Sequence, residues 1–235
     1  MKKFLFALTG LLLMTLSVQA QRPDLPGALI VDIGINNWSS APENVSLNSI
    51  QSKSVNLTYY YDFPIGNKGF TFTPGIGLGL EKYSLQNNFT LTTSINNAGE
   101  RSIATANINN IVDDGFSFGK SKVAMNYVDL PLEFRWYASG NRYNTGFRAA
   151  LGAKVGVLYS SFTKFRYEDT AGDDNLVKTR QNLGLNRFRY GVQGRVGFGG
   201  FSVFGFYELS DKWDIAPTDG ENTRTFTFGI SLTGF

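Results

Sequence analysis

From Tyr127 to Leu158 the chain alternates strictly. Val128, Leu130, Leu132, Phe134 and Trp136 share one parity, and Phe147, Ala149, Leu151, Ala153, Val155 and Val157 repeat it after the polar turn Ser139-Gly140-Asn141-Arg142-Tyr143-Asn144. A period of two predicts a long β-hairpin with one wholly apolar face. The opposite face carries Asp129, Glu133, Arg135, Arg148 and Lys154, charges of both signs. Two folds give such alternation: a sandwich with a dry core, and a transmembrane barrel whose apolar face meets lipid while its polar face lines the lumen. The rest of the chain has to decide between them.

The chain opens with Lys2-Lys3, an apolar run from Phe4 to Val18, and Val18-Gln19-Ala20 before Gln21. That order reads as a secretory signal peptide over residues 1–20, cleaved after Ala20. An uncleaved anchor is the alternative, but the apolar run is short and no stop-transfer pattern follows. Without Lys2 and Lys3 the formal charge falls from +3 to +1, so nucleic-acid binding is not read from the basic pI. The chain has no cysteine, so an exported fold must rely on burial and backbone pairing without disulfides. Histidine is absent as well, which removes the commonest general base and metal ligand. No stretch after residue 21 reaches the ~20 apolar residues of a spanning helix. The remaining residues, 21–235, fit a single all-β domain.

After a Pro-containing lead-in, Gln21–Gly27, the first strand is expected over Ala28–Asn37. Leu29, Val31, Ile33 and Ile35 lie on one side, with Ile30, Asp32, Gly34 and Asn36 on the other. Ser52–Phe63 repeats the pattern, Val55, Leu57, Tyr59, Tyr61 and Phe63 opposing Asn56, Thr58, Tyr60 and Asp62. Phe70–Tyr83 sets Phe72, Ile76, Leu78 and Leu80 against Thr71, Thr73, Gly75, Gly77, Gly79 and Glu81. Its glycine ladder leaves room for a large inward side chain from a neighbour, such as an arginine. The hairpin supplies the fourth and fifth strands. Arg187–Gly199 follows, then Phe201–Leu209, whose parity is less clear, and Arg224–Phe235 with Phe226, Phe228, Ile230 and Leu232 outward.

Eight strands result, and their connections alternate in length. Ser39–Gln51, Ser84–Ser121, Ser160–Leu185 and Ser210–Asn222 are long, whereas the intervening links are short. A sandwich has no reason to keep that alternation. Outer-membrane barrels do, with long extracellular loops, short periplasmic turns and both termini in the periplasm. We therefore expect a closed antiparallel up-and-down transmembrane β-barrel in the bacterial outer membrane, with its lipids as the first partner. Closure follows from backbone chemistry, because an unpaired N–H or C=O in hydrocarbon costs several kcal/mol. Short alternating pieces around Phe89–Ile95 and Ser102–Ile108 leave a ten-stranded count open, or a hairpin above the membrane.

The strand Tyr127-Val128-Asp129-Leu130-Pro131-Leu132-Glu133-Phe134-Arg135-Trp136-Tyr137, the run Leu151-Gly152-Ala153-Lys154-Val155-Gly156-Val157-Leu158 and the segment from Arg187 to Leu209 with its Gly-rich turn carry a resemblance. The chain resembles the PorT-like family of small outer-membrane β-barrels, over most of its exported length. The resemblance implies an eight-stranded barrel and a part in protein secretion across the outer membrane. It also implies that Phe235 is the terminal aromatic read by the barrel-assembly machinery, although Phe235 is out of phase with Phe226, Phe228, Ile230 and Leu232. Pro131 cannot donate to a ladder, and a bulge is expected there.

Function is sought in the inward charges: Glu81, Asp129, Glu133 and Glu208 against Arg135, Arg148, Lys154, Arg187, Arg189 and Arg195. An eight-stranded barrel is just wide enough for side chains, so a paired, plugged lumen is expected. The competing reading is a narrow solute or anion path lined by the arginine excess. Asp113, Asp114, Glu168, Asp169, Asp173 and Asp174 are hard-oxygen groups, but Asp173-Asp174-Asn175 lacks an EF-hand spacing and no metal is assigned. Tyr59, Tyr61, Trp136, Tyr137, Tyr159 and Trp213 are expected at the interfacial girdles. Without histidine a Ser-His arrangement cannot form, and nothing marks a carboxylate pair as catalytic. A non-enzymatic barrel is expected, without cofactors, presenting loops to an extracellular or secretion-complex protein partner.

Overall fold

The computed structural model describes residues 27–41, 45–86, 88–95, 101–108, 117–140, 146–168, 171–180, 183–215 and 223–233. Residues 1–20, expected as a signal peptide, and Asp113, Asp114, Asp169 and Phe235 lie outside these described residues. The strands are β1 (Gly27–Trp38), β2 (Lys53–Tyr61), β3 (Phe63–Ile65), β4 (Phe70–Leu85), β5 (Phe89–Ile95), β6 (Arg101–Asn107), β7 (Ser117–Tyr137), β8 (Phe147–Glu168), β9 (Asp174–Thr179), β10 (Phe188–Phe198), β11 (Phe201–Glu208) and β12 (Thr225–Thr233).

Eight of these form a closed antiparallel ring in the order β1-β2-β4-β7-β8-β10-β11-β12. β12 returns to β1 from Ile30↔Thr233 to Trp38↔Thr225, so no barrel edge is left unpaired in that register. β3 continues β2 past Asp62, and β5 and β6 pair only with each other as a separate two-stranded sheet. The barrel is therefore eight-stranded, and the two short pieces form the extra hairpin. Among the described residues no helix is long and apolar enough to cross a membrane.

Period-two alternation survives in the burial pattern. Ile33, Ile35, Val55, Leu57, Ile76, Leu78, Leu130, Leu132 and Phe134 are all exposed on the outside, while Asp32, Asn36, Thr58, Glu81, Asp129 and Glu133 are buried within. The ambiguous strand is resolved too: in β11, Ser202, Phe204, Phe206 and Glu208 point inward, and Phe201 and Val203 outward. On β4 the outward apolar residues run from Phe70 to Leu80. At ~3.3 Å per residue and a tilt of about 40°, that band is about 25 Å tall.

The long-loop end is built further than the alternation predicts. β7 and β8 begin and end well inside the stretches expected as loops, pairing from Ser117↔Glu168 down to Tyr137↔Arg148. Beyond Leu158, β8 leaves β10 and takes β9 as its neighbour, from Thr163↔Thr179 to Glu168↔Asp174. The β7–β8–β9 arm thus rises roughly 30 Å along the strands above the point where β10 joins.

The bulge is displaced from its expected place. The β7–β8 register shifts between Asn126 and Tyr127, not at Pro131, which stays in phase opposite Lys154. Towards β4, Pro131 and Leu130 interrupt the pairing without moving the register, since Pro74↔Leu132 and Gly77↔Asp129 remain aligned. A missing N–H therefore costs a ladder bond here and adds no residue. At the short-link end, Gly199 takes a φ of 58°, the left-handed geometry its tight turn requires. Gly69 does likewise at φ 75°, and a Cβ there would stand 2.3 Å from the Tyr137 carbonyl oxygen.

Candidate functional site: the charged interior

Two ion clusters occupy the barrel, one above the other. The cluster nearer the short links centres on Glu133 of β7. Arg135 donates to it from Nε at 2.6 Å, Gln193 from Nε2 at 2.7 Å and Tyr60 from its hydroxyl at 3.2 Å. Arg195 from β10 crosses the lumen to Asp32 of β1, Nη1 and Nη2 donating to the two carboxylate oxygens at 2.6 and 3.2 Å. It also reaches the Ser231 hydroxyl of β12 and lies 3.5 Å from Glu133. Asp62 accepts hydrogen bonds from Thr73 at 2.8 Å and Tyr137 at 3.2 Å, with Arg135 at 3.7 Å.

The second cluster centres on Arg189 of β10, 2% exposed. Its Nε and Nη2 donate to the two oxygens of Asp129 at 3.0 and 2.6 Å, and Nη1 donates to Glu81. Such a fork on a carboxylate is the strongest form of a charge-assisted pair. The guanidinium also lies 3.7 Å from the Tyr127 ring centroid. Two glycines make this possible: a Cβ on Gly79 would stand 2.4 Å from Asp129 Oδ2, and one on Gly156 2.2 Å from Oδ1. The space beside Gly79 is thus taken by Asp129 and by Arg189, which comes from β10 and not from a strand adjacent to β4. Glu81 also accepts the Tyr83 hydroxyl at 2.6 Å.

Lys212 closes this cluster from a segment expected as loop. Its Nζ donates to Glu208 at 2.5 Å and lies 3.8 Å from Glu81. Burial acts to lower its pKa, but the neighbouring carboxylates, Glu208 first, hold the ammonium well above the ordinary lysine range. It stays charged at neutral pH.

Of the expected lumen charges, Glu81, Asp129, Glu133, Arg135, Lys154, Arg189, Arg195 and Glu208 are buried inside. Lys154 sits with Nζ 3.7 Å from the Phe206 ring centroid. Arg148 is half-buried near the short-link rim and donates to Ser202 at 3.3 Å and Thr233 at 3.2 Å. Arg187 does not join them: it is exposed, one residue before β10 begins, where its carbonyl accepts from the Leu158 amide. Asp32, Asp62 and Lys212 also belong to these clusters. The first two were visible as inward acids by parity, whereas Lys212 follows no strand period. With these changes six acids (Asp32, Asp62, Glu81, Asp129, Glu133, Glu208) face six bases (Arg135, Arg148, Lys154, Arg189, Arg195, Lys212), so the arginine excess disappears.

Above the ions is an apolar cluster including Trp38, Tyr83, Leu85, Leu91, Met125, Leu183 and Trp213. Trp38 stacks tilted on Tyr83 at 4.9 Å and meets Trp213 edge-on at 6.2 Å. Trp213 and Tyr137 therefore leave the girdle expected for them, since Trp213 packs in this cluster and Tyr137 points inward to Asp62. Tyr61, Trp136 and Tyr159 are exposed on the outer face. Among the described residues no group of three or more potential ligands is placed to hold a metal.

An inside of paired charges and an outside of apolar residues, joined by a closed ring of strands, is the arrangement a membrane barrel requires. Residues 21–215 match the family described as outer membrane protein beta-barrel domain. The chain belongs to that family. This outer membrane β-barrel protein is also similar to two solved structures. One is Ail, the attachment invasion locus protein of Yersinia pestis, in complex with the heparin analogue sucrose octasulfate, at 14% identity and a TM-score of 0.37, covering 89% of this chain and 100% of that one. The other is Neisserial surface protein A (NspA), at 9% identity and a TM-score of 0.35, covering 88% of this chain and 96% of that one. No curated protein matches the barrel.

Proposed function

We propose that this barrel is a non-enzymatic, non-conducting outer-membrane protein whose long-loop end faces the cell exterior and presents its raised β7–β8–β9 arm to a protein or surface partner, with both termini on the periplasmic side. The observation that carries the reading is the balanced ion network inside the barrel, whose members come from β1, β4, β7, β8, β10 and β11 together with Asp62 between β2 and β3 and Lys212 after β11. A buried charge is tolerable when paired, and a path for solute would have to break several such pairs. The cavity bordered by Arg135, Arg148 and Arg195 holds only about 10 Å³, about one water. The chain has no histidine, so a Ser-His arrangement cannot form.

Planar bilayers containing the refolded barrel test this directly. No unitary conductance is expected from the wild-type chain. Steady openings whose ion selectivity changes in Glu133→Ala would refute the plug and turn the same charges into a pore lining.

A further inference from the structure

Directly above the apolar band, the outer face of the barrel turns basic. Lys53 of β2 is opposite Lys82 of β4, and Lys82 is two residues beyond Leu80, the last apolar residue of that strand's outward face. One step further from the band, Lys122 of β7 is opposite Lys164 of β8, which is in turn opposite Lys178 of β9. Like charges directly across a ladder destabilise it, and here three such lysine pairs recur on the outer face, Lys53 with Lys82, Lys122 with Lys164 and Lys164 with Lys178. Four of these lysines, Lys82, Lys122, Lys164 and Lys178, line a cleft of about 500 Å³ together with Arg166, which also lies 3.8 Å from the exposed Asp174 outside the lining. Its floor is apolar: Phe162 and Leu176 line it, and Lys178 Nζ lies 4.2 Å from the Phe162 ring centroid.

We infer that this cleft binds the phosphorylated head group of a lipid in the leaflet at the long-loop end. Three features select that occupant. The lysines are on the outer side of the wall, not the lumen side, and begin at Lys82, immediately above the lipid-exposed band. Lys82 of the lining is two residues from the exposed Leu80 on the same face of β4, so a bound molecule can lay acyl chains along Leu80, Val128 and Val157 while its anionic head rests among the lysines. Lysine ammonium groups on flexible stems suit phosphates presented at varied angles. An acidic protein segment would satisfy the charge but not the adjoining lipid-exposed surface.

The inference rests on the membrane reading but not on which leaflet is outermost, and a micelle assay is blind to orientation. The folded full-length barrel in zwitterionic detergent is titrated with phosphorylated lipid A and, separately, with the same lipid A after its phosphates are removed. Binding of the phosphorylated form, at least about tenfold tighter than the dephosphorylated form, is expected. The combined variant Lys122→Gln, Lys164→Gln and Lys178→Gln is expected to lose that preference, while Lys68→Gln in the short turn of the opposite rim keeps it. Equal binding of the two lipids by the wild-type chain overturns the inference without needing any variant to fold. So does a triple variant that folds and keeps the full preference for the phosphorylated lipid, which would place the lipid site away from these lysines. Should surface labelling put the long-loop end in the periplasm, the orientation proposed above fails while this result stands.

Discussion

Arg189 illustrates how much of the interior depends on single contacts. Its guanidinium holds both Asp129 oxygens and Glu81 at once, in a slot walled by Gly79 and Gly156. Removing it leaves two carboxylates buried without their main counter-charge. Breaking a buried pair from one side costs about 3–5 kcal/mol, so Arg189→Ala should lower the urea midpoint of the heat-sensitive gel shift sharply, and Arg189→Lys, which keeps the charge but not the fork, should fall between. An Arg189→Ala midpoint equal to wild type would mean that solvent already screens the site. Parity along the strands made Arg189, Asp129 and Glu81 legible as inward residues, because a strand's side chains alternate whatever its neighbours do. Their pairing across the barrel was not legible: it depends on register, which a residue's own strand does not encode. Lys212 was hidden for a further reason, since it lies in an irregular segment with no period to assign its direction.

At the scale of elements, hydrophobic alternation located the barrel wall but stopped short of the arm. Above Tyr159 the outward residues of β8 become Phe162, Lys164 and Arg166, and those of β9 are Leu176 and Lys178, so the apolar period that marks a lipid-facing strand is lost although the strands continue. Polar strands of this kind read as loop from sequence. Backbone pairing sustains them, Thr163↔Thr179 to Glu168↔Asp174 on one side and Ser117↔Glu168 to Asn126↔Ser160 on the other. The arm also gives a clean reporter of orientation because the chain contains no cysteine. Asp173→Cys, at the exposed turn before β9, should react with a membrane-impermeant maleimide in intact cells. Labelling only after the outer membrane is permeabilised would place the arm in the periplasm and reverse the proposed topology.

For the whole molecule, the decisive property is closure. No disulfide exists to hold the chain, so its resistance to unfolding has to come from a ring of backbone hydrogen bonds in which every barrel strand has two neighbours. In detergent or lipid the cost of exposing one strand edge is several kcal/mol for each unpaired group, and it falls on many groups together. Opening should therefore be all-or-none. The protein extracted from outer membranes is expected to resist SDS when cold, to migrate as a compact species, and to shift in one step on boiling, with reductant having no effect. Truncation before Thr225, which removes β12 and leaves β1 and β11 each with a bare edge, should abolish the cold compact species altogether instead of lowering its midpoint. A truncated chain that still migrated as the compact form would show that β11 can close on β1 directly. Strand number would then be less tightly tied to the lumen network than Arg195, which contacts both Asp32 of β1 and Ser231 of β12, suggests.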